Sequence, residues 1–544
     1  MYLSLGYTEM AGSDMWWHVA AGRELCQTGT LFMVDDWSYT EQGRDWWQQE
    51  WLSDVIYFIW ADRLGVETLV YWKWLVIIAT FTLLQLALAR SSGSHLAGFI
   101  CAGVAVAIAA PFLDVRPHLY TLLNFCLLLY LLLRRRPVVW LLVLQFVIWV
   151  NLHGGFFFGL MALGILLFPW SEFSLASLRS AFLIGLACLL AAALNPSGFG
   201  TFFYPLKYAF DESSPFRQLA EWLPPSAPGG IRSPLFFVFQ WAPVLALLYA
   251  VPQVRKRTGV PWEGIALTGL TLAMALTSRR FIPLFAISLA VLLAPLVGLL
   301  AARLRGQLWT TLLAGCALLI AGWRMLPYPL QAAPAFHYLV AEYNYPVDLI
   351  NFTQANGLRG RVFAYYNWGG YLHWRTDGAL KVYIDGRADT LYDAQTYNNY
   401  VAVMRTSPDW IARVEATGAE YVMWPHGRWQ GREKLRQLLG TGRWRALYRD
   451  SQGWLAVRVD VELPEELQAT RDSPWRQAGI ALSAAEAGDL EKTIEHAERA
   501  LRDMPWQQTA CSLRVQAARA LGREEEAQAR LADCRAYFPS GALR

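Results

Sequence analysis

Charge is scarce in this chain of 544 residues: 17% of them are Asp, Glu, Lys or Arg, 55% are apolar, and the mean hydropathy is +0.25. Soluble domains carry about 25% charged residues, so a wholly soluble or disordered protein is excluded. An excess of one sign is lacking too. The 47 Lys and Arg nearly offset the 43 Asp and Glu, and a net +4 is too small and too dispersed for a nucleic-acid footprint, so no nucleic-acid partner is expected. Seven cysteines are too few for a disulfide scaffold, and none are paired at the spacing of a structural zinc site. Several signatures of soluble catalysis are missing as well: Gly-x-Gly-x-x-Gly after a strand, a Walker A string, Gly-x-Ser-x-Gly and His-Glu-x-x-His.

What the chain does have is aromatic rings and apolar runs. Its 26 Trp, 24 Tyr and 27 Phe are the excess expected where many segments cross a membrane interface. A bilayer core of about 30 Å takes roughly 20 helical residues. Stretches near 69–89, 96–112, 118–133, 138–152, 154–170, 179–195, 234–252, 261–277, 281–301 and 307–323 predict ten crossings, and therefore a polytopic α-helical membrane protein.

Short loops rich in Lys and Arg stay in the cytoplasm. Arg90, the triplet Arg134 to Arg136, Arg179, the cluster Arg255 to Arg257, and Arg303 with Arg305 fall in every second loop, so they predict one cytoplasmic side. The other loops then face outward: residues 1–68, the Asp114 turn, the Asn151 to Gly155 turn, the long 196–233 loop, the turn at Arg279 and everything after Trp323. Arg279 and Arg280 stand on the wrong side for basic residues, which makes them either an anion site or a pair snorkelling at a helix end. Because 14–65 must lie outside while the chain opens on Met-Tyr-Leu-Ser-Leu-Gly, a membrane helix upstream of Met1 is expected. The segment at about 52–63 is expected to be an amphipathic helix lying along the surface.

The organisation expected is an outward loop over 1–68, a transmembrane domain over 69–326, an extracytoplasmic mixed α/β domain over 327–461 and a helical-repeat hairpin pair over 474–544. Alternating runs such as Arg361 to Ala364 and Lys381 to Ile384 predict strands in the third part. In the fourth, Gly488 and Gly522 share a period of 34 with Pro505 and Pro539, the tetratricopeptide spacing, although Thr493 stands where that repeat prefers Ala. Cys511 and Cys534 lie at nearly equal distances from the turn at Gly522, so on antiparallel helices they stand level. They are placed either to form a disulfide or to fill the hairpin interface as two small buried residues.

Three strings hold the candidate chemistry. The first outward loop contains Asp14-Met15-Trp16-Trp17-His18, then Gly22, Asp36-Trp37-Ser38 and Glu50-Trp51-Leu52. An acid beside two Trp and a His is either a base or cation ligand under a flat substrate, or an interfacial anchor with a helix-capping Asp. Asp114-Val115-Arg116-Pro117-His118 holds an acid, a guanidinium and an imidazole in an outward turn, and polar groups beside hydrocarbon are functional by default. Asn151 with His153, and Asn195, mark further outward helix ends.

The first-loop string resembles the opening loop of bacterial multispanning glycosyltransferases of the GT-C architecture, over residues 1 to about 460. The resemblance implies a polyprenyl-phosphate or pyrophosphate sugar donor, a protein, lipid or polysaccharide acceptor, and a bacterial inner-membrane location with reaction on the periplasmic face. It implies a catalytic Asp14, for which general-base chemistry is expected, with His18, Glu50, His118 and His153 in support. Arg116, Arg279 and Arg280 are the outward cations expected to neutralise the leaving lipid phosphate. Tyr366 to Tyr371 and Asp385-Gly386-Arg387 are similar to the tryptophan-aspartate-tyrosine-glycine signature of oligosaccharyltransferases, implying acceptor contacts from Trp368, Gly369, Tyr371, Asp385 and Arg387; Asn367 precedes Trp368 and no Asp follows it. The Asp114 turn is similar to the second outward loop of the same enzymes, implying a divalent metal (Mg or Mn) at Asp14 and Asp114, with a single acid where the family has a pair. The competing expectation is a non-catalytic scaffold among membrane lipids that recruits a protein partner through its helical repeats.

Overall fold

The computed structural model describes residues 1–6, 10, 12–133, 135–171, 173–203, 214–304, 307–325, 345–468 and 472–535. Arg134, Arg305 and Pro539 lie outside them. The chain divides into two compact units. One comprises Met1–Thr8, Gln48–Trp60 and Leu64–Arg324; the other comprises Glu9–Trp47, Ala61–Arg63 and Met325–Arg544.

The first unit is helical. Among the described residues, three of its helices are long and apolar enough to cross a membrane: Val66–Ser92, His95–Phe112 and Arg279–Ala301. A fourth span results if Pro234–Ala250 and Pro252–Thr258, bent by 97°, act as one. That break replaces the straight span expected over 234–252, and proline explains it. Val251 is extended, as a residue before proline must be, and the stretch Ala242–Ala250 is wound as a tighter 3₁₀ helix. Five expected spans are shorter apolar helices: His118–Leu132, Val139–Leu152, Phe156–Leu167, Leu175–Ala191 and Trp262–Thr277. With a rise of 1.5 Å per residue, the 12 residues of Phe156–Leu167 cover roughly 18 Å, well under the hydrocarbon core. The tenth is the helix Gln307–Met325.

Glycine sets how closely these helices cross. A Cβ on Gly98 would lie 2.6 Å from the Gln85 carbonyl oxygen, and one on Gly298 would lie 2.8 Å from that of Ser92. Small residues at such crossings let helix backbones approach closely. The helix Trp51–Leu64 is not the amphipathic surface helix expected. Its apolar side chains run all round it, and Asp54 is fully buried.

The second unit is built on a five-stranded sheet in the order β4-β3-β5-β7-β6. Strands β3 (Gly360–Ala364), β4 (Leu380–Val382) and β5 (Tyr421–Pro425) are parallel, while β6 (Trp444–Arg449) and β7 (Gly453–Arg458) are antiparallel to their neighbours. The outward loop expected over 1–68 is divided, and residues 9–47 belong to this sheet unit. They supply the helix Asp14–Thr28 and a hairpin of β1 (Phe32–Val34) with β2 (Asp45–Trp47). Ser38 bridges Val382 in parallel, so the segment extends the sheet beyond β4. Val382 N–H donates to the Trp37 carbonyl at 3.0 Å and Tyr39 N–H to that of Val382 at 3.1 Å.

Four antiparallel helices follow the sheet: Pro474–Glu486, Leu490–Asp503, Gln508–Ala520 and Glu524–Arg535. Gly488 and Gly522 turn the chain at φ 80° and 76°, a region that favours glycine. Thr493 is buried, and its hydroxyl donates to the Asp489 carbonyl at 2.7 Å. Cys511 and Cys534 form a disulfide with Cα atoms 6.0 Å apart. This stack leans on the β6–β7 turn, where Gly479 packs against the Asp450 backbone and Gln507 donates to the Ser451 hydroxyl at 2.8 Å.

Candidate functional site

In the sheet unit the Asp14 helix of the first-loop string meets Tyr366 to Tyr371 and Asp385-Gly386-Arg387. Asp14 opens a helix that ends at Gly29 (φ 67°), and an acid in a first turn is favoured by the helix dipole. Its carboxylate is half-buried and accepts from the Ser13 hydroxyl at 3.2 Å. Two glycines bring the later strings against it, and a third joins those strings to each other. A Cβ on Gly370 would lie 2.8 Å from the Trp17 backbone nitrogen, one on Gly386 would lie 2.9 Å from the Trp17 indole and 3.4 Å from Asp14 Oδ1, and one on Gly369 would lie 3.0 Å from Asp385 Cα. Tyr371 packs edge-on to Trp16 at 4.6 Å and beside Tyr345 at 5.1 Å, and the Tyr345 hydroxyl donates to the Gly12 carbonyl at 3.0 Å. Aromatic packing thus fixes the turn from which Asp14 projects.

Asp385 and Arg387, expected to touch an acceptor, are buried in a triad of their own. Arg387 Nε and Nη2 reach Asp385 at 2.8–3.2 Å, Nη1 reaches Asp35 at 2.6 Å, and Nη2 also reaches the Tyr392 hydroxyl at 3.2 Å. Burial disfavours the guanidinium charge, and Asp385, Tyr392 and Asp35 outweigh it, so Arg387 stays protonated. Trp37 and Trp46 cover it at 4.3 and 5.0 Å. Trp368, Gly369 and Tyr371 are buried too, which makes this string the frame of Asp14's helix rather than an acceptor surface. His18 is buried and stacked on Trp17 at 3.5 Å. His373, which no motif marked, is stacked on Trp37 at 3.9 Å; burial first, and then Arg387, hold it well below the usual histidine range.

In the helical unit the three arginines separate by role. Arg279 is fully buried, and all five of its N–H donors are taken by backbone carbonyls. Nε bonds Leu223 at 3.3 Å, Nη2 bonds Pro224 at 2.9 Å and Ala227 at 3.0 Å, and Nη1 bonds Gly229 and, at 3.3 Å, Ile231. With no donor left, it does not bind a phosphate; it organises the 221–231 loop. Arg116 and Arg280 retain partly exposed side chains and flank Glu221, at 2.7 and 3.5 Å, while Arg280 also lies over the Trp222 ring at 4.1 Å. Burial alone would raise the Glu221 carboxyl, but Arg116 and Arg280 hold it down at about 2. Two guanidinium groups around one carboxylate leave one positive charge. Sequence reasoning passed over Glu221, whose available signal was an acid beside Trp222 in a long loop.

The same unit pairs Glu50 with His153, Nε2 to Oε1 at 3.6 Å. His153 Nδ1 accepts from Gly155 N–H at 2.9 Å and stands 2.7 Å from the Thr121 hydroxyl, which itself accepts from the Trp149 indole at 3.1 Å. These bonds fix the tautomer: a neutral imidazole carries its proton on Nε2, toward the carboxylate. His118 Nε2 lies 2.8 Å from the Phe112 carbonyl, and Asp114 accepts from Val115 N–H at 2.7 Å. Among the described residues, no group of three or more His, Cys, Asp or Glu is arranged to hold a metal ion.

No protein-family model matches this chain, and no curated protein matches it either.

Proposed function

We propose that this protein is a membrane glycosyltransferase of the GT-C type that moves a sugar from a polyprenyl-phosphate or pyrophosphate donor to an acceptor hydroxyl. One observation supports this reading above others: a half-buried carboxylate, Asp14, projects from a helix start held by Gly370, Gly386 and an aromatic cluster. A rigid second layer of this kind is what a general base needs. In the reaction, the acceptor hydroxyl passes its proton to Asp14 as its oxygen bonds the anomeric carbon. The bond from that carbon to the phosphate oxygen breaks, and its electron pair leaves with the lipid phosphate.

The test is transfer of a labelled sugar from a polyprenyl-linked donor by the purified full chain. Asp14→Asn should lower the rate by roughly 10² to 10⁴, the usual contribution of a positioned base, while leaving thermal unfolding unchanged. Wild-type transfer by the Asn variant would remove Asp14 from the chemistry.

A further inference from the structure

The helical unit contains a cavity of about 670 Å³ that none of the three strings touches. It opens where three spans end or begin: Val66–Ser92 finishes there, His95–Phe112 starts there and Arg279–Ala301 finishes there. Arg90 and Arg257 enter it from separate helices, beside Ser91, Ser92, Ser94 and Thr258, and Pro295 with Leu299 supplies an apolar side. No acid is among its lining residues.

The Ser91 and Ser92 hydroxyls offer an anion no donor, which leaves the arginines to bind it. Ser91 and Ser92 donate to the Leu88 carbonyl at 3.1 and 2.7 Å, and Gly93 and Ser94 N–H both bond the Ala89 carbonyl, so the helix end caps itself. Ser94 Oγ accepts from Ala97 N–H at the start of the next helix. Arg90 is oriented by one bond from Nη1 to the Tyr130 carbonyl at 2.9 Å and by the Tyr130 ring at 4.8 Å, which leaves the rest of its fork for a ligand. Arg257 is exposed, with Arg255 and Lys256 beside it. The charges then sum simply. Two guanidinium groups and one helix N-terminus stand against three helix C-termini of about half a charge each, which leaves roughly one positive charge.

We infer that this cavity binds the phosphodiester headgroup of an anionic membrane lipid. One net positive charge matches one phosphodiester, the forked guanidinium donors match its oxygens, and the apolar side lets acyl chains continue along the helices. A free phosphate shares the first two features and not the third.

The experiment uses the full chain, delipidated in a neutral detergent. Short-chain phosphatidylglycerol and short-chain phosphatidylcholine are titrated separately and read by native mass spectrometry, with inorganic phosphate as competitor. Phosphatidylglycerol should bind at least tenfold more tightly than phosphatidylcholine. Arg257→Gln, a change at an exposed residue, should weaken that binding about tenfold, and Arg257→Lys should restore part of it. Equal binding of the two lipids, or unchanged binding in the Gln variant, would overturn the inference. Displacement by phosphate at equal concentration would overturn the lipid assignment and leave a free-anion site.

Discussion

Replacing Arg387 with Met removes the cation bonded by both Asp35 and Asp385. All three side chains have no solvent exposure, so the two carboxylates would be left buried among Trp37, Trp46 and Tyr392. Breaking a buried ion pair by deleting one partner costs about 3–5 kcal/mol. Here two acids lose one partner, and the change belongs at the upper end of that range. In a unit slightly above 250 residues each kcal/mol moves the midpoint by roughly 2 °C or more, so a fall on the order of 10 °C is expected. Tryptophan fluorescence of the full chain during heating reports it directly, because Trp37 and Trp46 lie on the guanidinium. The triple change Asp35→Asn, Arg387→Met, Asp385→Asn removes all three charges and should recover part of the loss. An Arg387→Met midpoint within about 3 °C of wild type, equivalent to roughly 1 kcal/mol, would refute the buried triad.

Two further outcomes follow from the tail and its junction with the sheet. Cys511→Ser with Cys534→Ser opens a bridge between residues 23 apart and should destabilise the helical stack by about 3 kcal/mol, as read by thermal unfolding; non-reducing mass spectrometry of the wild type should find neither thiol free. Asp450 is pushed up to about 7 by burial and by Asp348, against bonds from Gly453 and Gln452 N–H. Its folded value lies above its unfolded one, so its contribution to stability is complete below about pH 4 and is lost as pH rises through 7. Asp450→Asn should flatten stability across that window in a pH-resolved melting series.

Local patterns were easier to read than remote pairings. Apolar runs gave most helix limits to within a few residues, the broken stretch at 234–252 excepted, because each run can be read on its own, and the glycine turns at 488 and 522 follow from a repeating period. The fusion of 9–47 with the sheet was not legible. Ser38 and Val382 meet through backbone bonds at a sheet edge, which any side chains can make. Burial changed the meaning of charged residues more than their position did. Arg279 and Arg387 look alike in the sequence as basic residues near an outward turn, yet one is saturated by carbonyls and the other by carboxylates. The signal for Asp14 was local and its frame was not: Gly370 and Gly386 matter for what they allow to approach, which only the folded chain shows.

The sheet unit also sets a timetable. Asp35 and Arg387 are 352 residues apart, and at 5–20 residues per second the second is made roughly 20 to 70 seconds after the first. Throughout that interval the segment 9–47 has no sheet to join. Its Asp35 lacks a counter-ion, and the backbone at Ser38 is an open edge able to pair with another chain. Completion of the unit therefore waits for every intervening helix to be synthesised, so assembly of this domain reports that the helical unit has been made in full. A nascent chain halted before β4 would present that first segment to proteases and chaperones, and release of the arrest would withdraw it.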